Sequence, residues 1–465
     1  LQENLLSTTR ATHCTIVRRS SFTYYLTAKS SMASSPASIA TGTPPRSESM
    51  AYPKNHGGLL PKIQWVFRQH TKAVLATIGF LGFVVILSSD SLHDSSIGPG
   101  GSLRGNFMSK SGSTFGGVLH RGYFSVEGSK TNHNQFRFAA VTDLDQLSFM
   151  KDERKMTYRS LLLPGTITHN KDTNRYTIEM EVSATRTLKT KHNEAGRGAE
   201  FSELTVFDGR LLTFDDRTGD VFEIMNTKDG KDSFVAPRYI ITEGDGDTDK
   251  GMKWEWATTK DGFLYMGSMG KEYTNPDGSV ANVNNLWVSV MDSHGEFRRI
   301  NWTDQYNSVR NALGCPSPGY AIHEAINWSP HMRKWVFMPR RISTEVYNDV
   351  LDEKRGSNKL VIVDESFKKF EVVEVNMANK DGLHGFSSFA FVPGTKDRHA
   401  IALRSVEEEC AGDDLEVCKQ RSYIVIFDVL TGEVLMDEVK IEENMKFEGI
   451  EFINMYTTPP ASLSS

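Results

Sequence analysis

No GxxxxGK[ST] phosphate loop occurs in the 465 residues, so the chain has no sequence basis for a P-loop motor or kinase. A basic surplus is missing too. Lys and Arg number 53 against 58 Asp and Glu, a net charge of −5, which argues against a nucleic-acid partner. Helical periodicity is scarce: after residue 160 only Trp302 to Ala312 offers a short amphipathic helix, and an all-β fold follows. No methionine opens the chain, which leaves Met32 and Met50 as candidate starts. One calcium-loop lookalike fails on inspection. Asp245, Asp247 and Asp249 start like an EF-hand, but Lys250 stands where glycine is needed and Trp256 where glutamate is needed, so the run reads as a loop between strands.

The N-terminal quarter is different material from the rest. Residues 1–72 are expected to form a disordered cytosolic tail, because their Ser/Thr/Ala/Pro-rich start has no apolar period to bury. Ala73 to Ser89 then runs without a charge behind Lys62, Arg68, His70 and Lys72, which reads as a single transmembrane signal anchor with the tail inside and the large domain across the membrane. The rival, a cleaved signal peptide, is disfavoured by the run's distance from the N-terminus and the lack of a clear small-x-small cleavage site. A short span suits early secretory membranes. Residues 90–135 are a Gly/Ser-rich stalk, and 454–465 form a C-terminal tail.

From 136 to 453 the texture is strand, turn, strand, with Asp-Gly and Thr-Gly marking tight turns. Five times a polar side chain sits ahead of or within a short apolar run: Ser202 in EFSEL, Glu255 in KWEWATT, Glu324 in HEAINW, Ser387 in GFSSFAFV and Glu448 in FEGIEFI. They recur at about 50 to 70 residues, the length of a four-stranded blade with its loops. Five blades around an axis would turn these groups toward one another, an arrangement that requires a cation because clustered carboxylates repel. The last strand-like run, GIEFI, has no strands after it, and the first strands have no inner strand of their own. Joining them completes one blade from both ends of the chain and closes a five-bladed β-propeller.

Four cysteines are present, Cys14 on the cytosolic side and Cys315, Cys410 and Cys418 on the other. Cys410 and Cys418 bracket a polar insertion between two strands, where a disulfide would staple the loop and two free thiols are the alternative. Asn301 (NWT) and Asn327 (NWS) are glycosylation sequons, with Asn327 the poorer acceptor because it falls in a strand.

The runs FRFAAVTDLD, RGAEFSEL, LTFDDRTGDVFEI, EGDGDTDKGMKWEW, GKEYT, PGYAIHEAINWSP, RKWVFMPRRIS, HGFSSFAFVPGT and KFEGIEFI, in this order, resemble the calcium-activated nucleotidase (apyrase) family across 136–453. The resemblance implies a five-bladed propeller with central Ca²⁺ that hydrolyses nucleoside di- and triphosphates (UDP, GDP, ADP, ATP), in an ER/Golgi membrane protein of type II orientation or a shed or secreted form. It also admits a homodimer. Carried over, the calcium ligands are Ser202, Glu255, Glu324, Ser387 and Glu448, and hard oxygen donors of this kind suit Ca²⁺ better than Zn²⁺.

Phosphate chemistry also needs positive groups. Lys253, Lys271, Arg340 and Arg341 are candidate substrate contacts, with Arg217 beside them. Asp143, Asp145, Asp215 and Asp216 are candidates to orient or deprotonate the attacking water, although DD and DxD also serve as turn formers. Trp254, Trp256 and Tyr273 offer aromatic faces for a base, against the plain alternative of core packing. The implied reaction is in-line attack of water on the terminal phosphorus, with no phosphoenzyme. Two other readings stand beside it: a non-catalytic propeller used as a binding platform, and a calcium-dependent propeller esterase or lactonase, for which His323 is the nearby candidate base.

Overall fold

Turn chemistry cuts this chain into short antiparallel strands. At Asp208-Gly209 and at Asp261-Gly262 both residues have positive φ, the backbone of two-residue hairpin turns, and glycine takes it without strain. The computed structural model describes residues 133–453 other than 276–277, 411–417 and 444. Its strands, in chain order, are β1 (His133–Asp143), β2 (Tyr158–Asn170), β3 (Arg175–Met180), β4 (Arg186–Thr190), β5 (Phe201–Phe207), β6 (Arg210–Asp215), β7 (Asp220–Asn226), β8 (Ser233–Ile240), β9 (Trp256–Lys260), β10 (Phe263–Gly267), β11 (Tyr273–Thr274), β12 (Val280–Asn282), β13 (Trp287–Met291), β14 (Phe297–Asn301), β15 (Tyr320–Ser329), β16 (Lys334–Ser343), β17 (Lys359–Asp364), β18 (Phe370–Glu374), β19 (Gly385–Phe391), β20 (His399–Glu408), β21 (Lys419–Asp428), β22 (Val434–Glu443) and β23 (Lys446–Glu451). Two α-helices interrupt them, α1 (Thr303–Ala312) where the sequence places one, and the single turn α2 (Asp349–Asp352).

Four sheets are formed by strands consecutive in the blade: β5 to β8, β9-β10-β13-β14, β15 to β18 and β19 to β22. The fifth has the order β23-β1-β2-β3, with β4 also on β2, so the last described strand is the inner strand of the first blade. The innermost strands β5, β9, β15, β19 and β23 each touch the next, and β23 returns to β5. This is the all-β, five-bladed propeller expected from the sequence, with the first and last described strands in one blade.

The core is five slabs between neighbouring blades. Because each blade is covered on both faces, its middle strands are apolar on both sides: Leu360 and Ile362 of β17 pack toward the β19–β22 blade, Val361 and Val363 toward the β9–β14 blade. α1 adds Tyr306 and Val309 to that second slab. Cys410 and Cys418 form a disulfide, and Cys315 is a buried free thiol. The amide of Asn327 donates to the Phe389 carbonyl at 2.6 Å, whereas Asn301 is exposed. No helix among the described residues is long and apolar enough to cross a membrane, and the anchor expected at Ala73 to Ser89 lies outside them.

Candidate functional site

Strand alternation fixes which end of the ring carries the chemistry. The inner strand of every blade starts at one end, so the loops entering it and the loops joining the second and third strands share that end. Among the described residues these are 144–157, 191–200, 216–219, 241–255, 268–275, 278–286, 302–319, 344–358, 375–384, 409–410 and 418.

β-Bulges aim the side chains. Against Val141 and Thr142, β23 pairs through Gly449 and Phe447, which leaves Glu448 as the extra residue. Ser387 is skipped in the same way between Phe386 and Ser388, and Glu324 between His323 and Ala325. On β5, Ser202 and Glu203 lie where the register shifts between Phe201 and Leu204. A bulge rotates its residue out of the pleat and re-aims the side chain. Glu255 stands just ahead of β9, its N–H donating to the Gly267 carbonyl at 2.9 Å. Two of the hydroxyls tie neighbouring blades together: Ser202 Oγ donates to the Trp254 carbonyl at 2.7 Å and Ser387 Oγ to the Phe447 carbonyl at 2.9 Å. Each thereby grips the residue immediately before Glu255 or Glu448.

Around them lies a buried ion network. Arg340 Nη1 donates to both oxygens of Glu324 (2.8 and 2.6 Å) and to Glu448 (3.0 Å), and Nη2 to Glu407 (2.6 Å). Lys446 Nζ lies 2.7 Å from Asp143, 3.2 Å from Asp145 and 3.4 Å from both Glu407 and Glu448. Arg197 joins Asp145 (3.1 Å) to Glu200. Lys253 joins Asp216 to Glu255 (2.7 Å). Eight carboxylates thus share four cations, which leaves four carboxylates in excess of the positive groups.

The surplus shows in the titration of these groups. Burial pushes Glu200 up to about 9, with Asp143 and Asp216 adding to it and Arg197 opposing. Burial also raises Glu255 to about 8 against the pull of Lys253, and lifts Glu324 and Glu448 above the usual carboxylate range. Glu407 goes the other way: burial disfavours its charge, but Arg340, Lys446 and Arg341 outweigh that and hold it low. Carboxylates that would otherwise take protons are the groups a divalent cation satisfies. One oxygen each from Asp143, Asp145 and Glu200 lie within 4.8 Å of one another, spacing compatible with an ion, and the donors throughout are oxygens. The residues present fit a hard cation such as Ca²⁺.

Other residues singled out in the sequence have different places. Asp215 is a backbone staple: Oδ2 accepts the Ala199 N–H (2.8 Å) and Oδ1 the Arg217 N–H (3.0 Å), which holds the 216–219 turn while presenting Asp216 to the network. Arg217 reaches away to Glu194 at 3.2 Å. Trp254 is fully buried against Phe214 in the slab between the second and third blades, so it offers no face to a ligand, and Trp256 is buried on the other side of its blade. Tyr273 keeps partial exposure. Lys271 donates to the Glu272 carbonyl and to Thr274 Oγ1 and sits 4.1 Å over the Tyr347 ring; its burial pulls it down to about 8. Arg341 donates to the Leu383 carbonyl at 3.0 Å and lies 3.8 Å from Asp352. His323 is fully buried against Tyr306 and Phe337, and burial holds it neutral, down to about 3.

Arg197, Glu200, Glu407 and Lys446 belong to the network and were not singled out in the sequence. Two of them leave a faint signal, since Glu200 and Lys446 each stand two residues before a bulge residue, Ser202 and Glu448.

A family model described as Apyrase matches residues 144–453. An apyrase of Cimex lectularius is 38% identical over 69% of this chain and 83% of its own length. Soluble calcium-activated nucleotidase 1 of Rattus norvegicus is 38% identical over 69% and 74%. Apyrase apy-1 of Caenorhabditis elegans is 37% identical over 72% and 89%. Among solved structures, a Lactobacillus plantarum protein aligns over 69% of this chain and 100% of its own at 9% identity, with a TM-score of 0.29, too low to relate the two folds.

Proposed function

The chain belongs to the apyrase family, and from that premise we propose that it is a nucleotide-hydrolysing enzyme that uses Ca²⁺ to cleave the terminal phosphate of nucleoside di- and triphosphates. The observation that carries this reading is the buried surplus of carboxylates over cations at one end of the axis. It asks for a hard cation where a phosphate chain would dock.

Ser202, Glu255, Glu324, Ser387 and Glu448 would hold the ion, directly or through water. When bound, it supplies charge neutralisation for the terminal phosphates. The residues' own parts follow from access. Lys253 and Arg197 keep 24% and 31% of their side chains exposed and are placed to meet phosphate, while Arg340 and Lys446, at 6% and 7%, stay with their carboxylates and position them. Asp145, with 28% exposure, is the most open carboxylate of the network; Gln420 donates to it at 2.7 Å. It is the group assigned to orient the attacking water. Positioning and electrostatics then provide most of the acceleration, because a loose phosphoryl transfer needs little covalent help.

The anchored, lumenal ER/Golgi location is part of the same proposal and is supported by the Ala73 to Ser89 run and by the Cys410–Cys418 disulfide, which suits an oxidising compartment. There, UDP and GDP left by sugar transfer are the natural substrates. Release from the stalk would instead give an extracellular ADP and ATP scavenger.

Phosphate release from UDP, GDP, ADP and ATP with Ca²⁺, with Mg²⁺ and with chelator tests it. Release that depends on Ca²⁺ supports the reading and ranks the substrates. Folded protein that releases none in any condition returns the fold to a binding platform.

A further inference from the structure

Farther along the axis, beyond the ion network, lies an acidic place that nucleotide hydrolysis does not use. The bulge that holds Ser202 also leaves Glu203 buried, at 2% exposure. Its Oε1 accepts the Leu204 N–H at 2.8 Å and the Ser388 Oγ–H at 2.9 Å, while Oε2 has no hydrogen-bond partner in the protein. No ion pair is made by Glu203 among the described residues. Gly449 permits this placement, because a Cβ there would lie 2.6 Å from the Glu203 carbonyl carbon. Only with β23 and β5 this close does Glu203 reach past β23 to Ser388 on the next strand.

Glu451 lies two residues beyond Gly449, is 7% exposed, and accepts the Val206 N–H at 3.3 Å and the Phe452 N–H at 2.8 Å. It lines a cavity of about 140 Å³ formed by the C-terminal ends of the inner strands, with Thr205, Thr258 and Asn327 among the polar residues of its wall. The two carboxylates repel one another. An ionised carboxylate with one oxygen unmatched is among the costliest groups to bury. The cavity lined by Glu451 has room for an ion and a few waters, at roughly 30 Å³ of liquid volume each.

We propose that Glu203 and Glu451 hold a second divalent cation in the axial channel, completed by water in the cavity and reached from the end of the ring opposite the nucleotide loops. Carboxylate and hydroxyl donors without nitrogen or sulfur assign it to the hard ions, with Ca²⁺ as the fitting member. The site is independent of the proposed hydrolysis, since it can be counted without any turnover.

Equilibrium dialysis of the full chain with Ca²⁺ alone tests it. The wild type is expected to bind two ions, and Glu203→Gln and Glu451→Gln to bind one each. Glu448→Gln should also bind one, and Glu203→Gln combined with Glu448→Gln none. Wild type binding a single ion, or Glu203→Gln retaining the wild-type number, would overturn the proposal and mark Glu203 as a buried protonated acid. Circular dichroism and a cooperative melt establish folding of each variant; should Glu203→Gln fail to fold, Glu451→Gln decides in the same way.

Discussion

Arg340 and Glu324 face each other across one hairpin, sixteen residues apart, and the guanidinium Nη1 meets both carboxylate oxygens at 2.8 and 2.6 Å. The same nitrogen holds Glu448 of a different blade. One buried cation therefore spans two of the five expected metal ligands and, through Nη2, Glu407.

Among the described residues, replacing Arg340 by Met leaves Glu324 without a cation and leaves Glu448 and Glu407 with Lys446 alone. Breaking a buried pair by removing one partner costs about 3–5 kcal/mol, and a loss of that size is expected in urea unfolding with chelator present. Added Ca²⁺ should restore more stability to the variant than to the wild type, because the vacated negative charge favours the ion. Equal gains from Ca²⁺ in both would mean that Arg340 and the ion do not share these carboxylates.

Calcium itself should raise the melting temperature. A ligand at a hundred times its Kd adds about 2.7 kcal/mol to the native state. Glu324→Gln and Glu448→Gln are expected to shrink the shift and to lower Ca²⁺-dependent phosphate release together. A full-sized shift in both variants would place the ion elsewhere.

Lys271 gives a pH signature of known sign. Burial lowers its folded value to about 8, against roughly 10.4 for an unfolded lysine. Between these values the unfolded chain binds more protons, so this lysine's contribution makes stability rise with pH across the window, and below about pH 8 the full cost of the buried charge is present. Lys271→Met should remove that rise from the stability curve. If the ammonium contacts phosphate, KM of the wild type climbs above about pH 8, while in Lys271→Met it is high and flat.

Trp254→Phe separates packing from binding. Trp254 packs with Phe214, Met252 and Leu264 between two blades, so the smaller ring should leave a void that lowers the melting temperature, while KM for every nucleotide stays within about twofold. A rise in KM without loss of stability would return this ring to the substrate.

The bulge residues were legible because a hydroxyl or acid within an apolar, β-prone run is conspicuous, and because it recurs once per blade. Ring closure by β23 was legible as well, from a strand left over at one end and a missing inner strand at the other. The ion network was not. Glu407, Arg197 and Lys446 look like ordinary strand-end and loop charges, and only the antiparallel return of each blade brings them to one end of the axis. Trp254 shows the complementary limit: an aromatic beside a glutamate expected to bind metal reads the same in sequence whether it stacks on a base or fills a slab, and only the face of the strand decides. Arg217 and Asp215 share a turn motif with Asp216, yet only Asp216 points inward.

Deleting the chain from Lys446 onward removes β23 and leaves the first blade without its inner strand. No cooperative unfolding transition is expected from that protein, whereas an end at Ile453 keeps every described strand and should melt as the full chain does.

The same closing strand puts the protein on a clock. About 300 residues separate β1 from β23, which at 5–20 residues per second means roughly 15–60 s of synthesis during which the first blade waits for its inner strand. Glu448 arrives with that strand. The fifth expected ligand is thus made only with the closing strand, and metal capture by the expected set would report that the whole ring has been translated.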